Sequence, residues 1–319
     1  MSPDWRPSAD FPTLRLRASL LARAREYFAA TAALEVETPL IVREAVTDIN
    51  VESLAVQGDD GLSGFLHTSP EYAMKRLLCA GSGDIYQIAH VFRGGERGVR
   101  HHPEFTMIEW YRLGFDDTRL TDDVERLVTA LLAGHVAMAP SQRVTYARAF
   151  AERLGVDPLA ADLDSLRAAL VAARIDVPAS VADDHDALLD LGMSLAVAPS
   201  FPVDRLTFVL QFPASQAALA RVHGNVSGRF EAFWGGLELA NGFHELGDAS
   251  EQARRFAEDR RIRQARGRRD RAPDQRLLAA LQAGLPDCAG VALGFDRLVM
   301  IAAGKQAIDD VLAFTTEQA

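Results

Sequence analysis

Phe92-Arg93-Gly94-Gly95-Glu96-Arg97-Gly98-Val99-Arg100-His101-His102-Pro103-Glu104-Phe105-Thr106-Met107-Ile108-Glu109-Trp110-Tyr111-Arg112 is the stretch whose reading decides the fold. From Phe105 to Arg112 it alternates with the period of a strand, which puts Phe105, Met107, Glu109 and Tyr111 on one face. A carboxylate among two aromatics and a methionine needs a partner, because burying it unpaired is costly. It is either one half of a structural ion pair or part of a pocket wall. In the second case Glu109 holds a cationic ligand group and Phe105 stacks on a planar ring. Upstream, the three glycines and five arginines or histidines of 93–103 read as a loop. Glycines let backbone approach a ligand, and Arg93, Arg97, Arg100, His101 and His102 offer donors to phosphate. The same composition also suits a solvated turn.

Outward from this hairpin, 85–92 is a short apolar strand. His67-Thr68-Ser69-Pro70-Glu71-Tyr72 reads as a strand end, a turn and a helix start. A first helix over 13–31 carries Leu20, Ala24, Tyr27, Phe28 and Thr31 on one stripe. It leads to an alternating strand at 34–37, stopped by Thr38-Pro39. Residues 116–197 are helical in pattern and rich in Ala and Leu, so a helical insertion is expected over about 116–200. Strands return at 206–211 and 230–239. A charged helix follows over 250–266, with Asp248 and Glu251 at capping-box spacing and Gly267 as its stop. Residues 290–303 read as a glycine-containing strand turning into a helix. Strands in separated groups favour an α+β fold with an antiparallel sheet flanked by helices. No G-x-G-x-x-G follows a strand and no Walker A sequence occurs.

The 319 residues carry 34 basic and 44 acidic side chains, a net charge of −10. Hydrophobic residues make up 48%, enough for a sizeable core, and the acidic balance argues against a surface built to hold nucleic acid. Two cysteines, Cys79 and Cys288, exclude a disulfide framework and a four-thiolate zinc site, and fit free thiols in a reducing compartment. The apolar stretches near 127–139 and 206–220 fall short of a membrane span, and the first ten residues have no signal-peptide pattern. A cytoplasmic protein with no membrane partner is expected. Against the overall charge, 254–271 holds nine arginines and three acids. That segment is either a solvated helix or a patch that steers an acidic protein partner.

Two further segments carry chemistry. In Gly236-Leu-Glu238-Leu239-Ala-Asn241-Gly242-Phe243-His-Glu245, the two glutamates would face opposite ways on an unbroken strand. Asn241-Gly242 is a turn signal that can reset the parity. Glu238 and Glu245 could then approach one Mg²⁺, or else simply flank an exposed turn. In Gly290-Val-Ala292-Leu-Gly294-Phe-Asp296-Arg297, glycines in a strand mark close approach. Arg297 could reach a triphosphate or pair with a nearby acid.

In their order along the chain, Glu37-Thr-Pro39, then Phe92-Arg93 through His101 to Phe105, then Gly294-Phe-Asp-Arg297 resemble motifs 1, 2 and 3 of class II aminoacyl-tRNA synthetases. Ser69-Pro70-Glu71, His-x-Pro-Glu-Phe-Thr-Met-x-Glu-x-Tyr and Glu-x-x-Asn-Gly-Phe-x-Glu-Leu narrow the resemblance to the lysyl branch, over nearly the whole chain. Motif 1 ends at Pro39, which leaves no room for an anticodon-binding barrel. A single catalytic domain over 1–319 is therefore expected. In this the chain is similar to the short lysyl-tRNA synthetase paralogues, which activate (R)-β-lysine with ATP and attach it to a lysine side chain of elongation factor P.

The resemblance implies that Arg93 holds the α-phosphate, with Gly94 and Gly95 beside it. Phe105 would stack on adenine, and His101, His102 and Arg297 would serve the phosphate end. Glu238 and Glu245 would bind Mg²⁺, while Leu239 and Gly294 line the ATP site. Ser69, Pro70, Glu71, Glu109, Tyr111, Asn241, Phe243, Glu245 and Ala292 would form the diamino-acid pocket. It also implies a homodimer, elongation factor P as acceptor, and no tRNA. Three positions depart from the pattern. Glu96 stands one place later than the usual motif 2 glutamate. His102 stands where asparagine is usual. Ala292 stands where lysyl-tRNA synthetases have glycine, and its methyl fits a substrate other than α-lysine. The other readings are a lone catalytic core acting on RNA and a catalytically silent regulatory paralogue.

Overall fold

Asp10 starts the first helix, its carboxylate accepting from the Thr13 amide at 2.8 Å. In the computed structural model, which describes residues 5–319, this helix is α1 (Phe11–Ala30), and it buries Leu20, Ala24 and Phe28. Four short strands follow: β1 (Leu34–Glu35), β2 (Ile41–Val42), β3 (Ala55–Gln57) and β4 (Ser63–Leu66). Then come α2 (Glu71–Cys79), the long hairpin of β5 (Ile85–Phe92) and β6 (Glu104–Leu113), and α3 (Asp117–Leu132). The next elements are β7 (Gln142–Thr145), α4 (Tyr146–Leu154), α5 (Leu163–Ala172), α6 (His185–Gly192) and β8 (Leu206–Leu210). Strands β9 (Val222–His223), β10 (Val226–Ser227), β11 (Arg229–Trp234) and β12 (Leu237–His244) precede α7 (Ala249–Ala265) and α8 (Gln275–Ala283). The last are β13 (Cys288–Gly294) and α9 (Phe295–Ala303).

The main sheet has eight strands in the order β1-β5-β6-β13-β12-β11-β8-β7. Its middle is antiparallel, as expected, but the edge pairs β1–β5 and β7–β8 are parallel. Parallel neighbours need a crossover, and α4 to α6 supply the one from β7 to β8. The stretch 116–200 is thus not helical throughout. It contributes an edge strand, and α3 belongs to the main core. There Leu120, Val124, Leu127 and Leu131 pack with α1, α9 and the sheet residues Ile108, Trp110, Val291 and Leu293. A second core lies under α4 to α6, built on Tyr146, Phe150, Leu188 and Leu189 against Val209 and Phe233. Asp123 of α3 ties the first layer together, accepting from Tyr27, Arg112 and the Trp110 indole. Burial alone would raise this carboxyl, yet those donors hold it below its ordinary value.

The expected strand over 230–239 is two strands, because Gly235 takes a φ of +56° and turns the chain back. Asn241-Gly242 is not a turn: both residues lie inside β12. Glycine is required at 242 by packing, since a Cβ there would come within 2.4 Å of the Phe230 ring and 3.0 Å of Val291. The parity of β12 is instead reset by a bulge. Ala240 pairs with Ala232 and Glu238 with Phe233, so Leu239 is the extra residue. Gly242→Ala should therefore cost about 1–3 kcal/mol by overpacking, read as a lower unfolding midpoint in urea. An unchanged midpoint would contradict this account.

Candidate active site

Residues paired across antiparallel strands point to the same side, so the sheet register fixes the floor of the site. One row runs Glu109, Ala292, Asn241, Glu231 across β6, β13, β12 and β11. The next runs Tyr111, Gly290, Phe243, Arg229. All eight residues line one cavity of 1190 Å³. Among the other expected site residues, Ser69, Pro70, Glu71, Arg93, His101, His102, Phe105, Glu238, Leu239, Glu245, Gly294 and Arg297 also line it. Gly290 must lack a side chain, since a Cβ would lie 2.2 Å from the Tyr111 ring and 2.5 Å from Glu245. The Ala292 methyl sits in the first row, between Glu109 and Asn241.

At one end, carboxylates converge. Ser69 Oγ donates to Glu109 at 2.6 Å, and Tyr111 Oη donates to its other oxygen at 2.7 Å. The same Ser69 oxygen accepts from the Glu71 amide at 3.0 Å, fixing the start of α2. One turn further along α2, Lys75 is only 1% exposed. Its ammonium lies 2.7 Å from Glu71 and 2.6 Å from Glu245. Burial, with the charge of Glu71 beside it, pushes Glu109 up to about 8. Burial also pushes Glu245 up to about 7, against the pull of Lys75. Burial alone would lower Lys75, but the two carboxylates hold its pKa above the ordinary value. Lys75 was not singled out in the sequence, although its i+4 spacing from Glu71 signals a pair on one helix face.

At the other end lies an anion-binding wall. The Arg93 guanidinium stands 5.2 Å from the centre of the Phe105 ring. Its Nε is buried without a hydrogen-bond partner, as expected of a group that waits for an anionic ligand. Glu96 also faces the cavity, with its carboxylate 3.8 Å from Arg93. Arg297 donates to the Glu238 carbonyl at 2.7 Å and to His101 Nε2 at 2.9 Å. His101 must accept there, so it is neutral with its proton on Nδ1. Burial, and then the charge of Arg297, lowers its pKa in agreement.

Several expected placements change. Gly94 and Gly95 do not line the cavity; the Gly94 amide bonds the Glu52 carbonyl at 2.7 Å, and Gly95 turns the loop with a φ of +79°. The His102 ring lines the cavity, but both its nitrogens are spent on backbone: Nδ1 on the Glu104 carbonyl and Nε2 on the Thr316 amide. Asp296 is tied to Arg17 of α1 and accepts from the Thr106 amide, so it joins layers. Glu238 and Glu245 do not form a pair. Glu245 is held by Lys75, and Glu231, across the β11–β12 hairpin from Glu238, is held by Arg229 at 2.5 Å. Glu231 stands seven residues before Glu238, the same interval that separates Glu238 from Glu245. That repeat was the available signal. Among the described residues no group of three or more His, Cys, Asp or Glu side chains has the arrangement of a metal site. A cation here would take one or two carboxylates and complete its shell elsewhere.

The arginines of 254–271 are mostly engaged within the chain. Arg254 and Arg255 pair with Glu251, Arg260 with Asp270, Arg261 with Glu258 and Arg266 with Asp184. Arg263 is fully buried, donates to the Asp48 carbonyl at 2.7 Å and pairs with Glu52, as does Arg271. Arg268 bonds the Ile49 carbonyl. These bonds brace the segment 47–52, whose residues Thr47, Asp48, Ile49, Asn50 and Val51 form a rim of the cavity. Arg263, Arg268 and Arg271 thus act as a brace, while Arg254 and Arg261 stay on an exposed helix face.

An antiparallel core with an acid-lined pocket beside an arginine-lined wall defines an amino-acid-activating fold. The family model of class II tRNA synthetases (D, K and N) matches residues 4–318, and the chain belongs to that family. It is 46% identical to the elongation factor P–(R)-β-lysine ligase of Salmonella dublin, over 99% of this chain and 98% of the relative. The proteins of the same name from Salmonella gallinarum and Salmonella paratyphi B are 45% and 46% identical over the same shares.

The raised carboxyls set a pH dependence. Glu109 and Glu245 titrate in the folded chain above their ordinary value of 4.5, so the folded state binds more protons than the unfolded one between those values. Their stabilising contribution is full below about pH 4.5 and lost as pH rises through 7 to 8. The melting temperature of the ligand-free protein should fall across that window. Glu109→Gln, which cannot ionise, should flatten the fall. A melting temperature that climbs from neutral to alkaline pH would refute the assignment.

Proposed function

We propose that the chain activates (R)-β-lysine with ATP and transfers it to a lysine side chain of elongation factor P. The observation that carries this reading is the full-length identity to ligases of that name, in a chain whose cavity joins an acid-lined pocket to an arginine wall. Glu71, Glu109 and Glu245 would receive the two ammonium groups, with Ser69 and Tyr111 orienting Glu109. Pro70, Asn241, Phe243 and Ala292 would shape the pocket around the carbon chain.

ATP fits the opposite wall. The buried, unpartnered Nε of Arg93 suits an α-phosphate, the Phe105 face suits a planar base, and Arg297 with His101 suits the phosphate tail. Mg²⁺ would be held by Glu238, with phosphate oxygens completing its shell, and would supply charge neutralisation there. The first step is attack of the substrate carboxylate on the α-phosphorus, giving an aminoacyl-adenylate and pyrophosphate. Arg93 aligns the two anions and stabilises charge as the bond forms; no protein nucleophile is needed. In the second step a neutral lysine amine of the partner attacks the acyl carbon and AMP leaves.

A homodimer is part of the proposal. Leu40, Ile41, Leu54 and Leu62, on or beside the small β2–β4–β3 sheet, are exposed apolar side chains that a second copy would cover. No helix among the described residues is long and apolar enough to cross a membrane. Free thiols at Cys79 and Cys288 suit a cytoplasmic location.

ATP–pyrophosphate exchange tests the reading. Exchange should require a diamino acid, with β-lysine preferred over α-lysine, and Arg93→Ala should lower it by about 10²–10³-fold without changing the melting temperature. Label from the diamino acid should appear on elongation factor P. Label on tRNA would favour the RNA-charging alternative, and no exchange with any diamino acid would favour a silent paralogue.

A further inference from the structure

Glu71 and Glu245 share one ammonium, Lys75, inside the acidic end of the cavity, and Glu109, bonded by Ser69, feels the charge of both. Lys75 and Glu245 are each about 1% exposed and Glu109 is 2% exposed, so water screens little of this charge. A buried charge without a counter-ion is costly, and the group takes up or sheds a proton instead. With all three acids ionised, one ammonium leaves two negative charges uncompensated. The other titratable and charged groups nearby are Tyr111 of β6, Tyr72 and Cys79 of α2, Cys288 of β13, and Arg221, whose charge acts on Glu245. Burial holds Tyr111 and both thiols neutral, and Arg221 is engaged with Asp287 and the Glu245 carbonyl.

We propose that Lys75 is a specificity-determining positioning residue. By bridging Glu71 and Glu245 it cancels one of three carboxylates and leaves the pocket two positive charges short of neutrality, a deficit that the two ammonium groups of a diamino acid fill and a single ammonium does not. The inference rests on the reading that the cavity takes a diamino acid. Lys75 does not touch the reacting atoms. It sets which way the two glutamates point and how many ammonium groups the pocket accepts. Binding of two ammonium groups must then expel the proton that Glu109 holds in the empty pocket.

The test compares the full chain with Lys75→Met, which keeps side-chain length and removes the charge. The KM for the diamino acid in ATP–pyrophosphate exchange should rise about 30-fold or more, while kcat and the KM for ATP stay within about threefold. The pH at which diamino-acid affinity reaches half its plateau should move up by about one unit or more, because the charges of Glu71 and Glu245 beside Glu109 are no longer offset. Lys75→Arg should bring that midpoint back towards wild type. An unmoved midpoint in a folded Lys75→Met protein, or equal losses in kcat and in the KM for both substrates, would overturn the proposal. If Lys75→Met does not fold, calorimetry on the wild type decides. Binding enthalpies in buffers of different ionisation enthalpy should report about one proton or more released per diamino acid at neutral pH. No release would sink the proposal. Wild-type protein that exchanges with no diamino acid would instead refute the ligase reading, a separable result.

Discussion

Everything at the acidic end of the cavity depends on a single buried ammonium. Lys75 lies between Glu71 and Glu245, at 2.7 and 2.6 Å, and it comes from the helix that Ser69 and Pro70 start. Without it, the buried carboxylate of Glu245, just past the end of β12, would have only Arg221 nearby, a cation already engaged by Asp287. With it, the end of β12, the start of α2 and the middle of β6 are held in one electrostatic unit. The sheet below can then afford a floor of Gly290 and Ala292, because the walls are fixed by charge and not by bulk.

The sheet solves a second problem by counting. An even-period strand cannot aim Glu238, Asn241, Phe243 and Glu245 into the same space. The extra residue at Leu239 shifts the register by one and brings Glu238 onto the cavity side beside Glu231. The displaced Leu239 side chain is buried in the main core. One irregularity therefore serves both the cavity wall and the packing beneath it.

Much of this was legible in the sequence. The β5–β6 hairpin follows from alternation, and the face carrying Phe105, Met107, Glu109 and Tyr111 is the cavity face. The motifs fixed the family and most of the cavity wall. What the sequence concealed were effects of tertiary packing. Asn241-Gly242 looks like a turn, but Gly242 is needed because Phe230 lies against it. A bulge leaves no residue-type signature, so the face on which Glu238 falls is not readable from the sequence. His102 looked like a phosphate donor because its partners, the backbone at Glu104 and Thr316, are invisible in a linear reading. The arginines of 254–271 looked like free charge because their acceptors lie up to 219 residues away in sequence.

That brace has a consequence for how the cavity rim can vary. Arg263 and Arg268 hold the rim largely through the main-chain carbonyls of Asp48, Ile49 and Val51, which any residue supplies. The side chains that take part are Thr47 and Glu52, bonding Asp259 and the two buried arginines, and Asp48, which accepts from the Asn50 and Val51 amides. The side chains of Ile49, Asn50 and Val51 can drift without loosening the loop. The mouth of the cavity is thus a surface that evolution, or an engineer, can rewrite for a different acceptor while the chamber behind it stays unchanged.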